Sequence, residues 1–226
     1  MWNFLQKQGG VWVDAVFVRG ALEGILLLVA SVAVNHFASA YADIWASNSV
    51  TDIILDNVPA FDVDGLLSVG AVLFAVFLAG VCFALPKSIP FVLKSMALFI
   101  FIRSVFIILT HLGPSPDKMM LDDGVLFARL LSGNDLFFSG HTGLPFLLAL
   151  IFWERSVVRP VFLFLSIAFA IGVLLGHLHY SIDVFSAFFI TYSIFCIARK
   201  VFPVAWRTWN DSSEVVKDNF SLFCQH

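Results

Sequence analysis

The stretch that decides the fold is LLSVGAVLFAVFLAGVCFALPKSIPFVLKSMALFIFIRSVFIILTH, residues 66–111. It holds two apolar runs, Leu66–Leu85 and Phe91–His111, separated by a segment with Pro86 and Pro90. Each run is close to the ~20 residues that a helix needs to cross a bilayer. The prolines lock φ and remove backbone donors, so they mark a tight turn between two antiparallel spans. Four more runs follow the same pattern: Val16–Phe37, Thr142–Trp153, Pro160–Gly176 and Ile182–Phe202. The run at Thr142–Trp153 is short, and Glu154 and Arg155 lie at its end.

Composition points the same way. The 226 residues are 60% hydrophobic and 13% charged, with 26 Phe; the mean hydropathy is +0.93. Soluble domains run nearer 45–50% apolar and about 25% charged. A disordered chain, a nucleic-acid binder and an ordinary soluble enzyme are excluded. The expected fold is all-α, a polytopic membrane protein of six transmembrane helices. Residues 1–15, with Trp2, Phe4 and Trp12 beside Lys7, suit an interfacial segment. Residues 16–202 form the transmembrane domain, and residues 203–226 a cytoplasmic tail. Ala38-Ser39-Ala40 resembles a signal-peptide cleavage site, but Arg19 and Glu23 interrupt the apolar run before it. The first span is therefore expected to be retained.

The charges sort by side. Lys7, Arg19, Lys87, Lys94, Arg155, Arg159, Arg199, Lys200, Arg207 and Lys217 fall on one side of such a bundle. The opposite loops carry only Lys118 and Arg129, against Asp43, Asp52, Asp56, Asp62, Asp64, Asp117, Asp122, Asp123 and Asp135. The positive-inside rule then places both termini in the cytoplasm. The richest polar chemistry, at Ser139–Thr142 and His177–Asp183, falls on the other, non-cytoplasmic side.

His179 and Asp183 are four apart, which at a helix head puts both on one face. A carboxylate there fixes the imidazole tautomer and leaves the second nitrogen as a nucleophile or base. The alternative is a plain capping pair, with Asp183 favouring the helix dipole. In Phe138-Ser139-Gly140-His141-Thr142-Gly143, Ser139 suits an N-cap and Gly140 lets the backbone approach a ligand. Free N–H groups at a helix start bind phosphate, and His141 there could protonate a leaving oxygen. An ordinary loop-to-helix junction reads the same way when taken alone. Together the two segments make a phosphoryl-transfer layout at one membrane face. Arg103, inside the third span, could hold the phosphate or pair with a carboxylate such as Asp135. A zinc site from His141, His177, His179 and Asp183 is disfavoured, because on a helix His177 and His179 would point to opposite sides. The three cysteines lack metal-type spacing.

The residues 132–142, Ser-Gly-Asn-Asp-Leu-Phe-Phe-Ser-Gly-His-Thr, resemble the third motif of the sphingomyelin synthase family. Gly176–Val184, followed by Ala187–Thr191, resembles its fourth. Arg103, Thr110, Pro114 and Pro116 are similar to its second, and Asn57–Asp62 more weakly to its first. Ser104 stands where a second Arg is common in that family. The family lies within the type 2 phosphatidic acid phosphatase (PAP2) superfamily. The resemblance implies a six-helix bundle and a catalytic triad of His141, His179 and Asp183. It implies that His179 attacks phosphorus, Asp183 orients it, and His141 serves as acid and then base. Arg103, Asp135, Ser139, Gly140 and Tyr180 are the expected substrate-binding residues, and no metal or other cofactor is implied. Donor and acceptor would be membrane lipids. The expected activity is transfer of a phospho-headgroup to a lipid alcohol; a hydrolase with the same triad and a non-catalytic transporter or lipid-binding protein are the alternatives. Tyr41, Trp45 and Tyr180 among the acidic loops suit a cationic headgroup, although such loops also arise from topology alone.

Overall fold

A computed structural model describes residues 11–118 and 136–210. Every regular element among them is helical. The helices are α1 (Ala15–Trp45), α2 (Asp64–Ala84), α3 (Ile89–Leu109), α4 (Gly140–Ile151), α5 (Val158–Leu175), α6 (Ser181–Val201) and α7 (Pro203–Asn210). Each expected span has a helix, displaced at its ends by a few residues; α1 is longer than expected and runs unbroken through Ala38–Ala40. Five of them, α1, α2, α3, α5 and α6, are long and apolar enough to cross a membrane. The sixth expected span is only the 12-residue α4. At 1.5 Å per residue it reaches about 18 Å, short of a ~30 Å hydrocarbon core.

The prolines act as the sequence suggests. Pro86–Ser88 forms one 3-10 turn, and Pro90 lies in the first turn of α3, where its missing N–H costs nothing. Short α4 is the centre of the bundle, packed on α3, α5 and α6. All its residues are buried except Phe146. Small residues permit this closeness. A Cβ on Gly143 would stand 2.7 Å from the Phe99 ring and 2.9 Å from the Thr191 hydroxyl. Where lipid competes equally for apolar side chains, such backbone approach is a main source of helix association. The outward faces remain apolar: Leu26, Val29, Phe37, Val76, Phe83, Phe164 and Phe189 are all exposed. That pattern suits a lipid surround.

Contacts between residues distant in sequence identify the two ends of the bundle. At one end, Ser47 meets His111, Asp52 meets Ser181, and His177 meets Val58. At the other, Lys94 pairs with Glu23 at 2.7 Å, and Phe91 packs on Trp206. This second end carries most of the basic residues. Residues 203–210, grouped with the tail by sequence, form α7 and dock here. Trp209 packs edge-on against Phe152, and its Nε1–H donates to the Ile151 carbonyl at 3.1 Å. It thereby satisfies one of the orphan carbonyls at the end of α4.

Candidate active site

The acidic end gathers the predicted catalytic residues. Ser139 is the N-cap of α4, its side chain accepting from Thr142 N–H. Gly140 and His141 are the first two helical residues. His179 precedes α6 rather than lying on it, so its link to Asp183 is a loop-to-helix contact and not a same-face pair on one helix. The contact still forms: His179 Nδ1 lies 3.3 Å from Asp183 Oδ2. Asp183 is fully buried, and the same oxygen accepts from the Tyr180 backbone N–H at 3.2 Å. With Nδ1 donating, Nε2 of His179 carries the free lone pair.

Two bonds join the motifs. The Ser139 N–H donates to the Asp183 carbonyl at 3.0 Å. Arg103 Nε donates to the Phe138 carbonyl at 3.2 Å. The Arg103 guanidinium passes over Gly140, where a Cβ would sit 3.4 Å from Nε. Arg103 and His141 are both buried, at 5% and 8% exposure, which places a cation within the bundle beside the start of α4. A buried Arg and the orphan N–H groups of a helix start are complementary to a phosphate.

The turn that delivers α4 is strained. Phe137 has φ 125° and Phe138 φ 25°, conformations that cost bulky residues of order 1–3 kcal/mol each. Ring packing holds them: Phe138 meets Phe99 and Phe106 edge-on, and Phe137 stacks on Phe106. His177 likewise has φ 52°, and its Nε2 lies 2.9 Å from the Val58 carbonyl. His141 packs edge-on against Phe169 and lines a narrow apolar cleft with Gly140, Leu144, Phe169 and Phe74.

Tyr180 is placed differently from the headgroup contact that sequence suggests. It is buried, its hydroxyl donates to the Gly113 carbonyl at 2.9 Å, and it accepts from Val50 N–H. Burial pushes its phenol above the ordinary value. Tyr41 and Trp45 are exposed and pack around His111. Asp135 lies outside the described residues. Among the described residues, no group of three or more His, Cys, Asp or Glu is arranged to hold a metal.

Sequence reasoning missed two partners. Asn35 on α1 accepts at Oδ1 from Arg103 Nη1 (3.4 Å) and Ser104 Oγ (3.3 Å). A lone amide deep in an apolar helix is the signal that marks it. Asp52 is the other. Its Oδ2 accepts from both Ser181 N–H and Ser181 Oγ at 2.7 Å, across 129 positions. Its Oδ1 accepts from the N–H groups of Ile54 and Leu55. Nothing in sequence separates Asp52 from the other loop acids.

Residues 132–200 match the family model described as PAP2 superfamily C-terminal. The match covers 69 of 226 residues and includes His141, His179 and Asp183. No curated protein matches the chain. The family match supports the PAP2 superfamily, an integral membrane setting, and a lipid phosphatase- or phosphotransferase-type function.

Proposed function

We propose that the chain is a sphingomyelin synthase-like lipid phosphotransferase with six membrane passes and both termini in the cytoplasm. It moves a choline- or ethanolamine-phosphate headgroup from a phospholipid to ceramide or diacylglycerol at the non-cytoplasmic leaflet. The observation that carries this is the His179–Asp183 pair, tied through Asp183 to the helix start that holds His141.

In this scheme the donor phosphate lies under Arg103 and against the N–H groups that open α4. His179 Nε2 attacks phosphorus and forms a P–N bond. The P–O bond to the donor's lipid alcohol breaks, and its electron pair leaves on oxygen. His141 protonates that oxygen. The imidazole of His179 gains positive charge as it attacks, and the buried Asp183 carboxylate stabilises it. The acceptor hydroxyl then gives its proton to His141 and attacks phosphorus. The P–N pair returns to Nε2. In this scheme the lipid approaches His141 from within the membrane, beside Phe74 and Phe169, which line a narrow cleft with Gly140 and His141.

A second reading is favoured by the name of the matched family: water takes the acceptor's place, giving a phosphatase or phospholipase C-like hydrolase. One assay separates them. Purified protein in mixed vesicles is given fluorescent ceramide and diacylglycerol, with phosphatidylcholine, phosphatidylethanolamine or phosphatidic acid as donor. A new headgroup-bearing lipid, lost in His179→Ala, supports transfer. Free phosphate or phospho-alcohol alone supports hydrolysis. No product sensitive to His179→Ala would reject both.

A further inference from the structure

A cavity of about 680 Å³ opens between α1, the start of α3 and the α6–α7 corner. One wall carries three charges in a row. Lys94 Nζ meets Glu23 Oε2 at 2.7 Å, and Arg19 Nε meets Glu23 Oε1 at 2.8 Å. Lys94 is nearly buried, whereas the Arg19 side chain is 83% exposed. Glu23 is the cavity's one acid, so the row sums to one positive charge. The Nη groups of Arg19 have no partner among the described residues. They form the flat, paired donor set that suits a phosphodiester.

The remaining wall is apolar and runs along α1 to Leu26 and Leu27, with Val204 facing from α7. From Arg19 to Leu27 is about 12 Å of helix rise, enough to seat much of an acyl chain. A free phosphate would leave that wall unused. The surroundings favour an anion too. Among the described residues, this end holds Arg19, Lys87, Lys94, Arg155, Arg159, Arg199, Lys200 and Arg207 against Asp14, Glu23 and Glu154. Lys94 and Arg103 are nine residues apart on α3, or about 13 Å of rise, so this cavity is separate from the one at His141.

We propose that the cavity binds one anionic phospholipid from the leaflet at the basic end, its phosphate on Arg19 and an acyl chain along Leu26 and Leu27. Neither half of this depends on the catalytic reading. The test uses the full chain in phosphatidylcholine vesicles holding a trace of phosphatidylglycerol with a diazirine in its acyl chain. After irradiation, labelled peptides are mapped. Label should fall within residues 20–27 and 201–208. Arg19→Gln, which leaves the Lys94–Glu23 bridge in place, should cut it roughly fivefold, the effect of one basic residue beside an anionic lipid. Arg19→Lys should retain most of it. Leu27→Trp, filling the wall, should reduce it, and His179→Ala should leave it unchanged. Equal labelling by a diazirine phosphatidylcholine, or labelling indifferent to both Arg19→Gln and Leu27→Trp, would overturn the proposal.

Discussion

Asp52→Ala should loosen the catalytic end without touching any catalytic group. The Asp52 carboxylate accepts four hydrogen bonds, two of them from Ser181, the first residue of α6. Asp183 follows two residues later, so this loop acid anchors the turn that aims the His179–Asp183 pair. Hydrogen bonds to charged groups are worth about 1.5–3 kcal/mol each and do not sum. Losing a helix cap costs about 1 kcal/mol. Asp52 is 8% exposed, so water replaces these bonds poorly. The expected loss is about 2–4 kcal/mol, within the range for breaking a buried network. Asp52→Asn should lose somewhat less, since its amide oxygen still serves part of the donor set. A cycle with Ser181→Ala isolates the hydroxyl bond, and a coupling of about 1–2 kcal/mol is expected for groups in direct contact. The pH response has a definite sign. Burial raises the Asp52 pKa, but bonds from the Ser181 hydroxyl and from backbone amides outweigh it, leaving a net value below the ordinary 3.8. A carboxylate with a depressed folded pKa stabilises fully above its unfolded value and loses that contribution as pH falls through the folded one. Thermal unfolding in neutral detergent, at pH 7 and in steps down to pH 3, reads both effects. Asp52→Asn should lose stability at pH 7 and show a flatter acid limb than the parent. Equal stability at pH 7, additive effects in the cycle and an unchanged acid limb would together refute the clamp.

Five further outcomes are expected. His179→Ala should abolish turnover and keep the melting profile. The parent's rate should trace a bell against pH, because His179 must be neutral to attack while His141 is protonated; a monotonic profile at saturating substrate would reject that division of roles. Gly143→Ala should destabilise by about 1–3 kcal/mol, since its Cβ meets the Phe99 ring at 2.7 Å in a packed interior; a melting point equal to the parent's would show that this contact relaxes freely. Arg103→Lys should raise KM about tenfold with a smaller change in kcat, since an ammonium cannot span the Phe138 carbonyl and Asn35 as the guanidinium does. Asn35→Leu should move KM in the same direction, and steady-state kinetics on both variants checks the pair.

What was legible in the sequence was whatever depends on runs and spacing. Hydrophobic length located a helix for each expected span, and Pro86 and Pro90 located the turn between α2 and α3. Ser139 at the N-cap and Asp183 in the first turn of α6 followed from cap chemistry. The details that failed are set by distant parts of the chain. The His179–Asp183 contact survives although His179 lies before the helix, because the loop from His177 is bent at a positive φ. Tyr180 carried the signature of a headgroup contact, yet its hydroxyl is committed to Gly113 and Val50, residues whose nearness no local pattern predicts. Asp52 and Asn35 enter for the same reason: their partners lie 129 and 68 positions away.

The shortness of α4 and the position of Arg103 have one physical account. Arg103 lies six residues before the end of α3 at Leu109, about 9 Å below it by helix rise. Its Nε reaches the Phe138 carbonyl, so the turn that opens α4 is recessed to a similar depth. A full-length helix there would carry His141 out toward the bulk solvent and draw the Phe138 carbonyl away from Arg103. A helix of 12 residues keeps both at one depth, but it leaves space below its C-terminus. α7 fills that space: Trp209 caps Ile151 and packs on Phe152, and Arg155 lies over the Trp209 ring at 5.1 Å. The aromatic residues of 203–210 are thus the structural counterpart of a shortened central helix. It follows that Trp209→Ala, at the end remote from His141, should destabilise α4 by about 3–5 kcal/mol, the usual cost of removing a buried aromatic. Turnover should fall along with stability at the assay temperature and recover on cooling. A variant that melts like the parent would show that α7 is only an appendage and that the short helix stands on its contacts with α3, α5 and α6 alone.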